Sequence, residues 1–116
     1  PDYVIVQDAT ILSELNVADG LKRDGTMLVN TDKGVEKLGV NRPFRVYCFS
    51  ADEVARRILG RPIMNTALLG AFAAITGELS LDAVVKAVRG RFPGQLGEKN
   101  AQVVEESYRQ LSRAVK

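Results

Sequence analysis

The sequence predicts an α/β domain with three layers, a mainly parallel sheet with helices on both faces and a helical C-terminal half. Two observations predict it. Short β-branched apolar runs flanked by turn residues alternate with longer segments of helical period in the first half, and only helical periods follow. The first two short runs are also continuously apolar, as strands of a parallel sheet covered on both faces are.

The first strand is Tyr3 to Val6. Ser13-Glu14-Leu15 then starts a helix toward Lys22, and Asp24-Gly25 turns the chain into a second strand, Thr26 to Val29, completing a βαβ unit. Arg45 to Phe49 forms the third strand. Ser50-Ala51-Asp52-Glu53 has the pattern of a capping box, in which a hydroxyl and a carboxylate satisfy free amides at a helix start. The helix it opens runs from Ala51 to Leu59, with Ala51, Val54, Ala55 and Ile58 on one stripe, Arg56 and Arg57 facing away, and Gly60 and Pro62 closing it. Asn65-Thr66 caps a second helix through Thr76, with Gly77 as the stop. Ser80 caps a third that presents Leu81, Val84, Val85 and Val88 on one side and Lys86 and Arg89 on the other. Phe92-Pro93-Gly94 reads as a loop. From about Glu98 a last helix repeats apolar residues at Ala101, Val104, Tyr108, Leu111 and Val115, a spacing that seeks a partner surface along its length, with Glu105 and Arg109 paired four apart outside.

At 116 residues the chain suits one domain, here residues 1–116, that could bury roughly two thirds of its unfolded surface. It opens at Pro1 with no methionine and reaches a core strand by Tyr3. A preceding segment is therefore expected, and three apolar parallel strands by themselves read as an incomplete domain.

Composition removes several chemistries. The chain has no histidine, which excludes Ser-His-Asp triads, Cys-His dyads and imidazole acid-base catalysis by its own residues. A lone Cys48 can build neither an internal disulfide nor a cysteine metal site, so the expected metal ligands are none, and the composition fits a reducing cytoplasm. A formal charge of +2 lacks the basic excess that nucleic acid binding needs. The longest run of apolar residues and glycine, Ala67 to Ile75, is too short to span a bilayer, so no membrane partner is expected.

Few residues suggest a site. Asp8 follows the first strand, at the carboxyl end where open α/β sheets place ligands; the plainer reading is an Asx-type cap on the loop, and Asn30-Thr31-Asp32 carries the same two readings. Arg42, Arg45, Arg56, Arg57 and Arg61 read as solvated surface. Cys48, without a nearby activating group, reads as a quiet core thiol. No G-x-G-x-x-G or phosphate-binding loop is present. The helix from Asn65 to Ile75 has no charge on any face, and a helix apolar all round must be covered all round. It is either the central core helix or partly an interface to another chain. Asn65, Thr66, Leu69, Gly70, Ala71 and Ala74 are the candidate interface residues, the small ones permitting close backbone approach.

Met64-Asn65-Thr66-Ala67-Leu68-Leu69-Gly70-Ala71, followed by Leu79-Ser80-Leu81-Asp82-Ala83 and Phe92-Pro93, resembles the gamma subunit or domain of the pyruvate and 2-oxoacid:ferredoxin oxidoreductases. Asp2 to Val6 with Asp8-Ala9-Thr10-Ile11-Leu12 is similar to that family's first strand and "D-x-T-L-L" turn, and Gly25 to Thr31 to its "DG-x-LLVNT" strand. The likeness runs through nearly the whole chain. Two departures are Met64, where many members have proline, and the absence of the N-terminal half with its G-x-G-G-Q-G turn. The resemblance implies a component of a complex that decarboxylates a 2-oxoacid, pyruvate by the form of the first turn, to an acyl-CoA and passes electrons to ferredoxin. It further implies that thiamine diphosphate, Mg and iron-sulfur clusters sit in partner subunits, that coenzyme A and ferredoxin act at the level of the complex, and that this chain contributes no catalytic residue. The alternative is a stand-alone flavodoxin-like binding or interaction domain.

Overall fold

A computed structural model describes residues 2–8, 21, 23–32, 45–60 and 65–115. The element order is β1 (Tyr3–Val6), β2 (Thr26–Asn30), β3 (Arg45–Phe49), α1 (Ala51–Leu59), α2 (Asn65–Thr76), α3 (Leu81–Arg91) and α4 (Gly94–Val115). The α/β class predicted from the sequence is what forms. The chain divides into two compact units, Pro1–Ser50 and Ala51–Lys116.

The first unit holds a parallel sheet in the order β1-β2-β3, with Val6 opposite Val29 and Val29 opposite Cys48. Backbone bonds from Thr26 N to Asp2 O and from Arg45 N to Gly25 O extend the ladder at its start, at 3.0 and 2.9 Å, and Thr31 N donates to Phe49 O at its end at 3.1 Å. All five residues of β2 are buried. β1 is less covered than its apolar run predicts. It is the outermost strand of this order, pairing with β2 on one side, and Ile5 is 42% exposed. The predicted Asp24 turn is present between Leu21 and β2, whereas the predicted Ser13 helix lies outside the described residues.

The second unit is built on α4, which packs against α2, α3 and α1. Asp52 and Glu53 stand in the first turn of α1, where carboxylates suit the positive end of the helix dipole. Gly60 and Gly77 follow α1 and α2 with φ of +76° and +69°, a conformation that costs glycine nothing, and their amides donate to Arg56 O and Ala73 O. The Ser80 hydroxyl accepts from Ala83 N at 3.1 Å, so α3 has its predicted cap. Ala73, Val84, Val85, Val88, Ala101 and Val104 form the core between α2, α3 and α4, with Leu81, Phe92 and Tyr108 packed against it.

α4 starts a full turn before the predicted Glu98, because Gly94 and Gly97 read as breakers in the sequence but serve the turn instead. Gly94 takes a φ of +59°. A Cβ on Gly97 would stand 2.2 Å from Phe92 O and 3.4 Å from Arg89 O, so only glycine lets the last turn of α3 fold this tightly onto the first turn of α4. Arg89 reaches across the same hairpin to Glu98, with Nε 3.0 Å from Oε1 and Nη2 3.3 Å from Oε2.

Candidate functional site

Two places in the fold receive the residues that the sequence singles out. The first is the carboxyl end of the sheet. Asn30 continues β2 one residue beyond its predicted end, is buried, and its Nδ2 donates to Gln7 O at 3.0 Å. The amide therefore ties the end of β1 to the end of β2, a structural use of Asn30. Asp8, Thr31 and Asp32 lie at this same end, Asp8 and Asp32 exposed and Thr31 half-buried. Thr31 is held by its backbone bond to β3. Cys48 is half-buried, less enclosed than the core thiol expected, and it lies opposite Val29 in the ladder. Arg45, Arg56 and Arg57 are exposed, as solvated cations are, while Arg42 and Arg61 lie outside the described residues.

The second place is α2 with the surface that receives it. Two contacts fix its register on α4. Thr66 Oγ1 donates to Asn100 Oδ1 at 3.0 Å, and a Cβ on Gly70 would stand 2.5 Å from Val104 O and 3.0 Å from Val104 Cα. Each pair advances by four residues on both helices, so α2 and α4 run in the same direction with their backbones nearly touching at Gly70 and Val104. Asn100 is only 4% exposed, and its Nδ2 also donates to Leu96 O at 2.9 Å. This buried amide is satisfied on both ends, as a polar group inside a helix packing must be. The helix start is thus reached differently from expectation: Asn65 is already helical, and the Thr66 hydroxyl is spent on α4 instead of on a cap.

The six candidate interface residues separate accordingly. Gly70 and Ala71 are buried, and the close approach that Gly70 permits is to this chain's own α4. Thr66 and Ala74 are half-buried. Asn65 and Leu69, one turn apart, are exposed, Leu69 at 37%. Phe72, one turn further, is half-buried, so this edge of α2 offers a short stripe with apolar side chains at Leu69 and Phe72.

A third cluster, missed from the sequence, sits on the outer surface of α4. Glu106 accepts from Arg109 and, at 3.0 Å, from Gln110 Nε2, while Arg57 of α1 stands 3.8 Å away. The hydrogen bond from Gln110, with the nearby Arg109 and Arg57 guanidinium groups, holds this carboxyl below its ordinary value of 4.5 against the opposing effect of burial. The expected Glu105 partner of Arg109 is replaced by Glu106, three residues away rather than four, because only Glu106 lies toward α1 where Arg57 and Gln110 converge. Spacing allows Arg109 a partner at either three or four residues, and the approach of Arg57 from a second helix, which favours Glu106, is not recorded in that spacing.

No group of three or more histidine, cysteine, aspartate or glutamate residues placed to hold a metal ion occurs among the described residues, and no described helix is long and apolar enough to cross a membrane. Among the described residues, the best-defined feature is the packing surface between α2 and α4 with the exposed edge at Leu69.

Comparison with known proteins gives that surface a context. The family model described as "pyruvate ferredoxin/flavodoxin oxidoreductase" matches residues 1–110. The chain belongs to that family. Among curated relatives, pyruvate synthase subunit PorC of Methanocaldococcus jannaschii is 48% identical over 111 residues, which cover 96% of this chain and 60% of that protein. The pyruvate/ketoisovalerate oxidoreductases common subunit gamma of Pyrococcus furiosus is 41% identical over 112 residues, covering 93% and 60%. Among solved structures, pyruvate oxidoreductase subunit PORC of Thermotoga maritima is 33% identical with a TM-score of 0.85, covering 94% of this chain and 62% of that one. The chain thus spans about three fifths of the length of these family members. It shares their fold over nearly all of its own.

Proposed function

We propose that this chain is part of the gamma component of a multi-subunit complex that oxidatively decarboxylates a 2-oxoacid, most simply pyruvate, to an acyl-CoA and passes the electrons to ferredoxin. The observation that carries the reading is the family match through residues 1–110, together with relatives and a structural neighbour that are all named as gamma or PorC subunits of such enzymes. In this reading the chain is cytoplasmic, its partners are the other subunits, and coenzyme A and ferredoxin meet the assembled complex.

The chain's role is non-catalytic. Its donor set does not fit an iron-sulfur cluster, which needs several thiolates where this sequence has one cysteine, and a histidine-free chain offers no imidazole to thiamine chemistry. Those groups and the Mg that accompanies thiamine diphosphate belong to other subunits. The chain contributes surface, and the six interface residues divide the work: Asn65 and Leu69 meet a neighbouring subunit, Thr66 and Gly70 set the height of α2 on α4 so that the exposed stripe is presented, and the buried Ala71 and half-buried Ala74 lie on other faces of the helix. No observation favours the flavodoxin-like module over this reading.

The test is co-expression of the full-length gamma protein carrying this sequence, tagged, with the other subunits of the enzyme. Capture on the tag should yield an assembly that reduces ferredoxin with pyruvate only when coenzyme A is added, while the tagged protein purified by itself is inactive and free of stoichiometric iron and thiamine. Pyruvate-dependent reduction by the isolated protein would overturn the non-catalytic role. Failure of the tag to retain any other subunit would overturn the assembly.

A further inference from the structure

We draw no further inference here: the strongest candidate beyond the site already described, the exposed small-residue stripe Ala83-Ala87-Gly90 on the outer face of α3 beside Lys86, is an unpartnered helix face, and nothing in the structure shows what covers it.

Discussion

Two glycines on neighbouring helices answer the same substitution in opposite ways. Gly70 faces a backbone: a methyl group there would sit 2.5 Å from Val104 O, an atom that cannot rotate aside. Alanine is the better helix former by about 1 kcal/mol, but overpacking that moves whole helices apart typically costs about 1–3 kcal/mol, so the steric effect wins. Gly70→Ala is expected to lower stability by about 1–2 kcal/mol, read from the urea midpoint at unchanged slope. Gly90, in α3, has nothing within 4 Å of the added methyl. Gly90→Ala is expected to raise stability by about 0.5–1 kcal/mol through the entropy of the unfolded chain. A neutral or stabilising Gly70→Ala would mean that α2 and α4 are not in backbone contact. From the sequence Gly70 could be placed in a close approach, but not the identity of the partner. A small residue in an apolar helix specifies that something comes near, and whether the neighbour is further along the same chain, as Val104 is, or in another chain is decided by tertiary structure.

Between elements, the partly buried Thr66–Asn100 hydrogen bond is the polar contact that aligns α2 with α4. Removing one partner strands the other in a place where water does not reach easily, at about 1–3 kcal/mol, whereas removing both leaves little to strand. Thr66→Val and Asn100→Leu are therefore each expected to destabilise, and the double variant to lose clearly less than their sum, in a thermal-melt double-mutant cycle. Strict additivity would show that the two side chains do not interact. Glu106 supplies a second link, from α4 to Arg57 of α1, with a pH signature. Its folded pKa lies below the ordinary 4.5, so its contribution is present above pH 4.5 and fades as pH falls through the folded value. Glu106→Gln should be less stable than the parent at neutral pH, by the modest amount that exposed pairs allow, and the gap should close on acidification. A gap that widens below pH 4 would reverse the assigned sign. The elements were legible where one periodicity or one cap decides them: the three strand cores, α1 to α2 with their terminal glycines, and the Ser80 cap of α3. The start of α4 was not, since Gly97 is a helix breaker by propensity and a helix residue by necessity beneath Phe92 O. Asn100 and Ser107 were missed as buried positions for a related reason. Asn100 pays its desolvation with Thr66 and Leu96 O, and Ser107 with a 2.7 Å bond to Val103 O, compensations that no apolar pattern records.

At the scale of the whole molecule, family membership was legible through order rather than through any site. Strand, turn and helix motifs in one succession along the chain pointed to the family that the comparison over residues 1–110 establishes, while composition pointed away from catalysis. What the succession of motifs could not divide is the surface of α2, because a charge-free helix looks the same on its core and its contact faces. The structure divides it: Gly70 and Ala71 are buried, and Leu69 stands out. A substitution at Gly70 thus disturbs the folded chain and its assembly together, and cannot distinguish them. Leu69→Asp can. The side chain is exposed at 37%, so a carboxylate there remains hydrated in the free protein, and the melting temperature of the isolated full-length subunit should hold within about 2 °C, the shift expected of a few tenths of a kcal/mol. In an assembled interface the same carboxylate would be stripped of water without a partner. Affinity for the other subunits should then fall at least about tenfold, which is about 1.4 kcal/mol, measured by titrating the variant against the complex lacking gamma. Unchanged affinity with an unchanged melting temperature would remove Leu69 from the interface, and a melting temperature lowered by many degrees would place it in the core of the subunit instead.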